Sequence, residues 1–161
     1  QHMTALSFDL TGKTAFVTGG TSGIGKAICQ ALLAAGANVA TGSRTPEKVE
    51  AAKADLGKLA PEGKLLVTTL DVADPASFDA ALAATVKQFG RCDILVNNAG
   101  TNLKKPSVEV EDAEHRRLFD INYFGPFTAS QAFCRQVMKQ DEAACGSAAP
   151  DDASNRIGSP S

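Results

Sequence analysis

The chain has few of the features that mark metal-binding, secreted or membrane proteins. Its four cysteines form no CxxC pair and lie near no histidine cluster, so neither a zinc site nor a disulfide framework is expected. No apolar run approaches the roughly 20 residues of a membrane span, and the N-terminus does not resemble a secretory signal. The formal net charge of -2 gives no electrostatic reason to expect nucleic acid or an anionic membrane as a partner. We therefore expect a cytoplasmic protein with no metal, no nucleic-acid partner and no membrane partner.

Strand and helix patterns alternate along the first hundred residues. Short apolar runs predict strands at 14–18, 38–43, 64–70 and 93–96. Apolar residues at helical spacing predict helices at 23–35, 46–60 and 75–89. Because short turns join these elements, the order predicts parallel pairing with helices on both faces of the sheet. The predicted fold class is α/β, a doubly wound parallel sheet of Rossmann type, incomplete at its C-terminal half.

The predicted domain covers residues 8–139. Residues 1–7 are interpreted as an N-terminal extension that opens on a tag remnant, Gln1-His2-Met3. After a loop at 101–108, a long helix is predicted over 110–139, bent or divided at Gly125-Pro126 because proline cannot donate to the helix ladder. Residues 140–161 are small and polar, which predicts a flexible segment with a possible stub of a fifth strand. Cys29 and Cys134 lie on apolar helix faces and are predicted to be buried thiols.

A glycine-rich turn follows the first predicted strand and opens the first predicted helix. It reads Thr18-Gly19-Gly20-Thr21-Ser22-Gly23-Ile24-Gly25. Gly19 permits a tight turn, Gly23 lets the backbone approach a diphosphate, and Gly25 lets the helix lie close to the sheet. The free N–H groups and positive end of the helix would face the negative charge of the ligand. The turn in this context predicts a dinucleotide-binding site.

The end of the second strand bears on which dinucleotide binds. An acidic residue at this place selects NAD, whereas this chain has Ser43-Arg44. Arg44 can pair with a 2′-phosphate and Ser43 can donate a hydrogen bond to it, so NADP(H) is favoured over NAD(H). The alternative is that Arg44 is an ordinary solvated loop residue.

Polar residues also follow the third and fourth strands. Asp71 is positioned to accept a hydrogen bond from an adenine amino group, unless it only terminates its strand. Asn97-Asn98-Ala99-Gly100 can bridge neighbouring strands while presenting backbone to a ribose. Taken alone, this run could be an asparagine-rich turn, but together with the glycine turn it supports the same site.

These motifs resemble those of the classical short-chain dehydrogenase/reductase family, in the family's order over about residues 8–139. The match also includes Asp71-Val72 and Asn122-Tyr123-Phe124-Gly125-Pro126-Phe127. The resemblance implies a nicotinamide cofactor and a homodimer formed through the 110–139 helices. It assigns Asn122 to a structural and proton-relay role. The predicted cofactor-binding residues are Thr18, Gly19, Thr21, Ser22, Gly23, Ile24, Gly25, Ser43, Arg44, Asp71, Val72, Asn98, Ala99 and Gly100.

The match does not extend to the family's proton donor. Members use a serine and a Y-x-x-x-K pair, in which the lysine lowers the pKa of the tyrosine. The single tyrosine here, Tyr123, belongs to the Asn122 motif and is followed four places on by Phe127. Arg156-Ile157-Gly158-Ser159 faintly resembles the end of a fifth strand, which would make Ser159 the catalytic serine.

Three interpretations follow. The first is an NADP(H)-dependent oxidoreductase acting on a carbonyl or alcohol small molecule, present here without its Tyr/Lys half. The second is a catalytically dead protein that uses the half-fold for cofactor binding and dimerisation. The third is a non-redox enzyme such as an isomerase, cyclase or dehydratase, working with Asn122, His115 or Asp120. His115 lies on a charged helix face, which favours a solvated surface histidine over a catalytic base.

Overall fold

Four parallel strands form the sheet in the computed structural model, which describes residues 8–146. The strands are β1 (Thr14–Thr18), β2 (Asn38–Ser43), β3 (Leu65–Thr69) and β4 (Ile94–Val96). Their order is β3-β2-β1-β4, so the chain crosses back over the sheet after β3. In the register, Phe16 of β1 lies opposite Ala40 on one side and Leu95 on the other. The predicted parallel sheet of Rossmann type is confirmed.

Three helices connect the strands: α1 (Gly23–Ala34), α2 (Pro46–Gly57) and α3 (Pro75–Phe89). The predicted start and end of α3 are confirmed, whereas α2 ends at Gly57, before its predicted end at residue 60. The Asp74 carboxylate accepts a hydrogen bond from the Ala76 N–H at 3.0 Å, which caps α3. Gly90 ends α3 in the left-handed conformation, with φ of 80°.

The core lies on both faces of the sheet because successive strand residues point to opposite sides. Phe16 packs with α3 and contacts Phe78, with ring centroids 5.2 Å apart. Its neighbour Val17 packs instead with Cys29 of α1 and Val49 of α2. The sheet is therefore doubly wound, with α1 and α2 on one face and α3 on the other.

The predicted long helix after residue 110 is divided into three parts. They are α4 (Asp112–Phe119), a π-helical stretch (Asp120–Phe124) and α5 (Gly125–Gly146). The Gly125 N–H donates to the Asp120 carbonyl, five residues back, immediately before Pro126, which has no N–H to donate. The division at Gly125-Pro126 is thus confirmed. It is produced by the π-helical turn that precedes Gly125.

Helix α5 extends past the predicted change to a loop at residue 140. The Gln140 side chain accepts from the Cys92 N–H at 2.8 Å and donates to the Cys92 carbonyl at 3.1 Å. A side chain that satisfies both backbone groups of a distant residue holds this part of the chain against the loop before β4. The loop prediction was wrong for the helical residues up to 146, whereas residues 147–161 lie outside the described part of the chain.

The two cysteines predicted to be buried differ. Cys29 is buried, and burial raises the pKa of its thiol to about 11. Cys134 is exposed, so that prediction was wrong. Cys134 lies on the apolar helix face that was predicted, but no other element within residues 8–146 packs against it. None of the helices in this described range is long and apolar enough to cross a membrane.

Candidate functional site

The glycine turn lies where β1 ends and α1 begins. Gly19 and Gly23 have positive φ of 67° and 53°, conformations that residues with a Cβ rarely adopt. A Cβ added at Gly25 would lie 2.9 Å from the Gly20 Cα and closer still to the Gly19 carbonyl oxygen. The predicted reasons for glycine at positions 19 and 25, a tight turn and a close approach, therefore hold in the structure.

Thr18 and Asn98 connect this turn to the end of β4. The Thr18 hydroxyl accepts from the N–H groups of Asn98 and Ala99, each at 3.0 Å. The Asn98 amide in return donates to the Thr18 carbonyl at 3.0 Å. Thr18 is buried, so these bonds form away from water. They place the backbone of 98–100 beside the glycine turn. The predicted bridge between neighbouring strands is formed by Asn98 alone, because the Asn97 amide donates instead to the Ser130 hydroxyl of α5 at 3.0 Å.

A cavity of about 510 Å³ opens at this edge of the sheet. All but two of the predicted cofactor-binding residues line it: Gly19, Thr21, Ser22, Gly23, Ile24, Gly25, Ser43, Arg44, Val72, Asn98, Ala99 and Gly100. The two that do not are Thr18, which is engaged in the network described above, and Asp71. Segments far apart in the sequence thus converge on one cavity, which is large enough for an extended small molecule.

The start of α1 faces this cavity and fits an anionic group. Ser22 occupies the N-cap position without a side-chain hydrogen bond to the helix, and the first turn of α1, within the described part of the chain, holds no acidic residue. The N–H groups of this turn are therefore left for a ligand, at the positive end of the helix. A Cβ added at Gly23 would meet nothing within 4 Å, so the space above the turn is open to a diphosphate.

Positive charge lies at the other end of the cavity. Arg44, directly after β2, and Lys48, in the first turn of α2, both line it and are both exposed. Among residues 8–146 neither side chain forms an ion pair with a carboxylate. Two cations that form no ion pair within the described part of the chain suit a second anionic group on the same ligand.

Asp71 is held from the side by α4. Its Oδ2 accepts from Arg117 Nη2 at 2.9 Å, and its Oδ1 accepts from the Ala73 N–H at 3.0 Å. Partial burial would raise the pKa of the Asp71 carboxyl, but the hydrogen bonds from Arg117 and Ala73, together with the positive charges of Arg117 and Arg44, outweigh it and lower the pKa. The carboxyl is therefore ionised at neutral pH. Its predicted contact with an adenine amino group stays a prediction.

Asn122 lies in a separate cleft. Its side chain bonds both backbone groups of Thr101, donating to the carbonyl at 2.7 Å and accepting from the N–H at 2.9 Å. This cleft, of about 780 Å³, shares Ala99, Gly100 and Thr101 with the first cavity, so the two adjoin. These bonds hold Asn122 on the loop after β4, and its predicted structural and proton-relay role stays a prediction. Ser159, the other predicted catalytic residue, lies outside the described residues.

Sequence reasoning missed several residues that shape the cavity. Lys48 lies in the first turn of α2, and a basic residue this soon after the end of the second strand was the available signal. Gly42 interrupts a strand, which is a sign of close approach; a Cβ there would lie 2.6 Å from Leu70 Cβ. Gly20 had no assigned role, yet its N–H donates to the Thr41 hydroxyl at 2.9 Å. Leu70, Thr101 and Ile121 also line the cavity, and no sequence pattern marked them.

Known proteins are similar to this chain in sequence. A family model described as short chain dehydrogenase matches residues 13–145. The chain is 36% identical over 124 residues to an L-2,3-butanediol dehydrogenase of Corynebacterium glutamicum, covering 77% of this chain and 48% of that protein. It is 40% identical over 129 residues to a 3-oxoacyl-(acyl-carrier-protein) reductase of Escherichia coli, covering 80% of this chain and 51% of that protein. The chain thus spans about half the length of these curated relatives.

Solved structures show the same fold. A short-chain type dehydrogenase/reductase from Mycobacterium marinum superposes with a TM-score of 0.77 at 32% identity, covering 83% of this chain and 53% of that one. A short-chain dehydrogenase structure from Novosphingobium aromaticivorans gives a TM-score of 0.77 at 30% identity, covering 83% of this chain and 49% of that one. The strands and helices described above are therefore those of one half of such a protein.

Proposed function

Because this chain belongs to the short-chain dehydrogenase family, whose members are oxidoreductases that bind nicotinamide cofactors, we propose that its cavity binds NADP(H) in preference to NAD(H). The proposed activity of the whole protein is oxidation or reduction of a carbonyl or alcohol small molecule. When bound, the nicotinamide ring accepts or supplies the hydride. The curated relatives named above are a dehydrogenase and a reductase, which favours a redox function over an isomerase, cyclase or dehydratase.

The observation that carries the NADP(H) preference is the pair Arg44 and Lys48 beside Ser43. The adenosine ribose of a dinucleotide lies at the end of β2 in this kind of fold. NAD(H) presents a 2′-hydroxyl there, which an acidic residue would accept, whereas NADP(H) presents a 2′-phosphate. This chain offers two cations and a hydroxyl at that place and no acidic residue lining the described cavity. The charges therefore complement the phosphate.

Titration of both reduced cofactors into the chain tests the proposal. Nicotinamide fluorescence is followed during addition of protein to NADPH and, separately, to NADH. We expect NADPH to bind about tenfold more tightly, the size of effect that one charge-assisted hydrogen bond provides. Equal affinities would contradict the NADP(H) preference, and binding of neither cofactor would contradict the proposed function itself.

The catalytic roles remain proposals for the whole protein. Asn122, held on Thr101 in the adjoining cleft, is proposed to serve structure and proton relay at the edge of the cofactor cavity. Ser159 is proposed as the catalytic serine, from its sequence context alone. A cytoplasmic location is also part of the proposal, because Cys29 and Cys92 are free buried thiols, as is typical of reducing compartments.

A homodimer is proposed through the helices at 110–139. Large apolar side chains are exposed on this part of the chain: Phe119, Tyr123, Phe124, Phe127 and Met138. Phe127 and Met138 lie eleven residues apart on α5, with the exposed Cys134 between them at helical spacing, so the three share one face. A stripe of this kind on a helix pair suits self-association across a two-fold axis.

Light scattering measures the mass of the particle in solution and so tests the proposed dimer directly. We expect twice the mass of one chain, and we expect Phe127→Asp to yield a monomer because it places a charge in the middle of the stripe. Leu59→Asp, which replaces an exposed leucine just after α2, serves as the matched control and should leave the dimer intact. A monomeric mass for the unmodified chain would contradict the proposal.

A further inference from the structure

A hydroxyl group lies in the apolar layer between β2 and α1. Thr41 is fully buried, and in the register of the sheet it lies opposite Val17 of β1. The buried cluster on this face of the sheet includes Val17, Val39 and Cys29. A valine at position 41 would have nearly the same shape and no hydroxyl to bury, so the hydroxyl must serve a contact that valine could not make.

The Thr41 hydroxyl joins the glycine turn to the sheet. It donates to the Val17 carbonyl at 2.7 Å and accepts from the Gly20 N–H at 2.9 Å, and both bonds are buried. Since a hydroxyl has one proton, which here is directed at Val17, a lone pair is left for Gly20. A Cβ added at Gly20 would overlap the Thr41 hydroxyl oxygen and lie 2.5 Å from Cys29 Sγ. The backbone of Gly20 is therefore fixed directly against β2.

This contact connects the two ends of the cavity. The neighbours of Gly20 on either side line the cavity where it faces the start of α1. Ser43 and Arg44, which follow Thr41 in the chain, line it at the end of β2. The hydrogen bond between Gly20 and Thr41 is thus a direct link between the turn that would hold a diphosphate and the strand whose end would hold a 2′-phosphate.

We infer that Thr41 is a positioning residue that holds the glycine turn at the distance from the end of β2 that one cofactor molecule spans. Thr41 does not itself line the cavity, so it acts through Gly20. Without the hydroxyl, the Gly20 N–H would be buried without a partner, and the turn would move to satisfy it. Binding would then include the cost of reordering the turn. This inference rests on the proposed binding of NADP(H) and adds how two anionic groups of one ligand are engaged together.

The test compares a ligand that reaches both ends of the cavity with one that reaches only the end of β2. NADPH carries the diphosphate and the 2′-phosphate, whereas adenosine 2′-monophosphate carries the 2′-phosphate alone, and we expect the unmodified chain to bind both. In Thr41→Val, calorimetric titration should show NADPH bound about tenfold more weakly, the contribution of one hydrogen bond, and the monophosphate bound as before. Thr41→Ser, which restores the hydroxyl, should recover most of the NADPH affinity.

Thr85→Val is the matched control. Thr85 is also fully buried, but its hydroxyl donates to the Ala81 carbonyl within α3 at 2.8 Å, away from the cavity. This variant should leave the affinity for both ligands unchanged, whatever its effect on stability.

The outcomes separate the inference from the proposed function. Equal weakening of both ligands in Thr41→Val, or no weakening of NADPH, would overturn the inference while leaving the proposed function in place. Failure of the unmodified chain to bind the monophosphate alone would also overturn it, because the end of β2 would then not hold a phosphate independently of the turn. Failure of the unmodified chain to bind NADPH would overturn both.

Amide hydrogen exchange of the unmodified chain tests the contact without a substitution. The Gly20 N–H should exchange at least about tenfold more slowly than the N–H of the exposed Gly23, because Gly20 is buried and bonded to Thr41. Equal exchange rates would overturn the inference even if Thr41→Val failed to fold.

Discussion

Replacing Arg44 with alanine is expected to weaken NADPH binding by about tenfold to a hundredfold while leaving NADH binding nearly unchanged. Arg44 lines the cavity at the end of β2 and has no carboxylate partner among the residues that the structure describes. A hydrogen bond between charged groups contributes about 1.5–3 kcal/mol, which corresponds to this range of affinity. Lys48, in the first turn of α2, supplies a second cation, so the lower end of the range is the more realistic value.

The matched measurement uses Lys53→Ala on α2, the helix that follows Arg44. Lys53 is exposed and paired with Glu50 at 2.7 Å, and it does not line the cavity. Fluorescence titrations of NADPH and NADH with both variants should therefore show a selective loss only for Arg44→Ala. A loss of the same size for both cofactors would show that Arg44 acts on the fold of the loop, and an unchanged NADPH affinity would show that Arg44 is a solvated loop residue.

Replacing Gly25 with alanine is expected to lower the free energy of unfolding by about 3 kcal/mol and to abolish cofactor binding. The added Cβ would lie 2.9 Å from the Gly20 Cα and would overlap the Gly19 carbonyl oxygen and the Asn98 side-chain nitrogen. Overpacking of a close contact costs about 1–3 kcal/mol, and the value is at the high end where backbone atoms must move. Here the displaced Asn98 amide also donates to the carbonyls of Thr18 and Gly19, so the link between β1 and β4 is strained as well.

Gly57→Ala is the matched control for this change. Gly57 is the last residue of α2, and a Cβ there would meet nothing within 4 Å. Since alanine is the better helix former, the control should be neutral or slightly stabilising, by up to about 1 kcal/mol. Urea unfolding followed by circular dichroism compares the two variants. If Gly25→Ala were no less stable than Gly57→Ala, the result would contradict the prediction that the close contacts at Gly25 exclude a Cβ.

Most of the local architecture could be predicted from the sequence, because short-range chemistry sets it. Pro75 after the capping Asp74 starts α3, and Gly90 ends it in a conformation that other residues avoid. Alternation within β1 assigns Phe16 and Val17 to opposite layers of the core. The glycine turn likewise predicts its own shape, since the need for positive φ and close approach is local.

The two wrong predictions, on the chain after residue 140 and on Cys134, depended on packing between segments that are far apart in the sequence. The loop predicted from residue 140 reflects a polar composition, but Gln140 finds both backbone groups of Cys92 and remains helical. The burial predicted for Cys134 reflects an apolar helix face, but periodicity states only that a face is apolar and cannot say which surface covers it. A pattern along the chain carries no information on such pairings.

The glycine turn, the alternation of strands and helices and the residues at the strand ends were therefore determined by the sequence itself, since each depends on neighbours within a few positions. Only the tertiary structure decided how Thr18 and Asn98 join two strands, how Lys48 enters the cavity beside Arg44, and how Arg117 reaches Asp71. The physical reason is that these contacts depend on the parallel register and on the packing of helices across the sheet. Residues far apart in the chain become neighbours only once the sheet has formed.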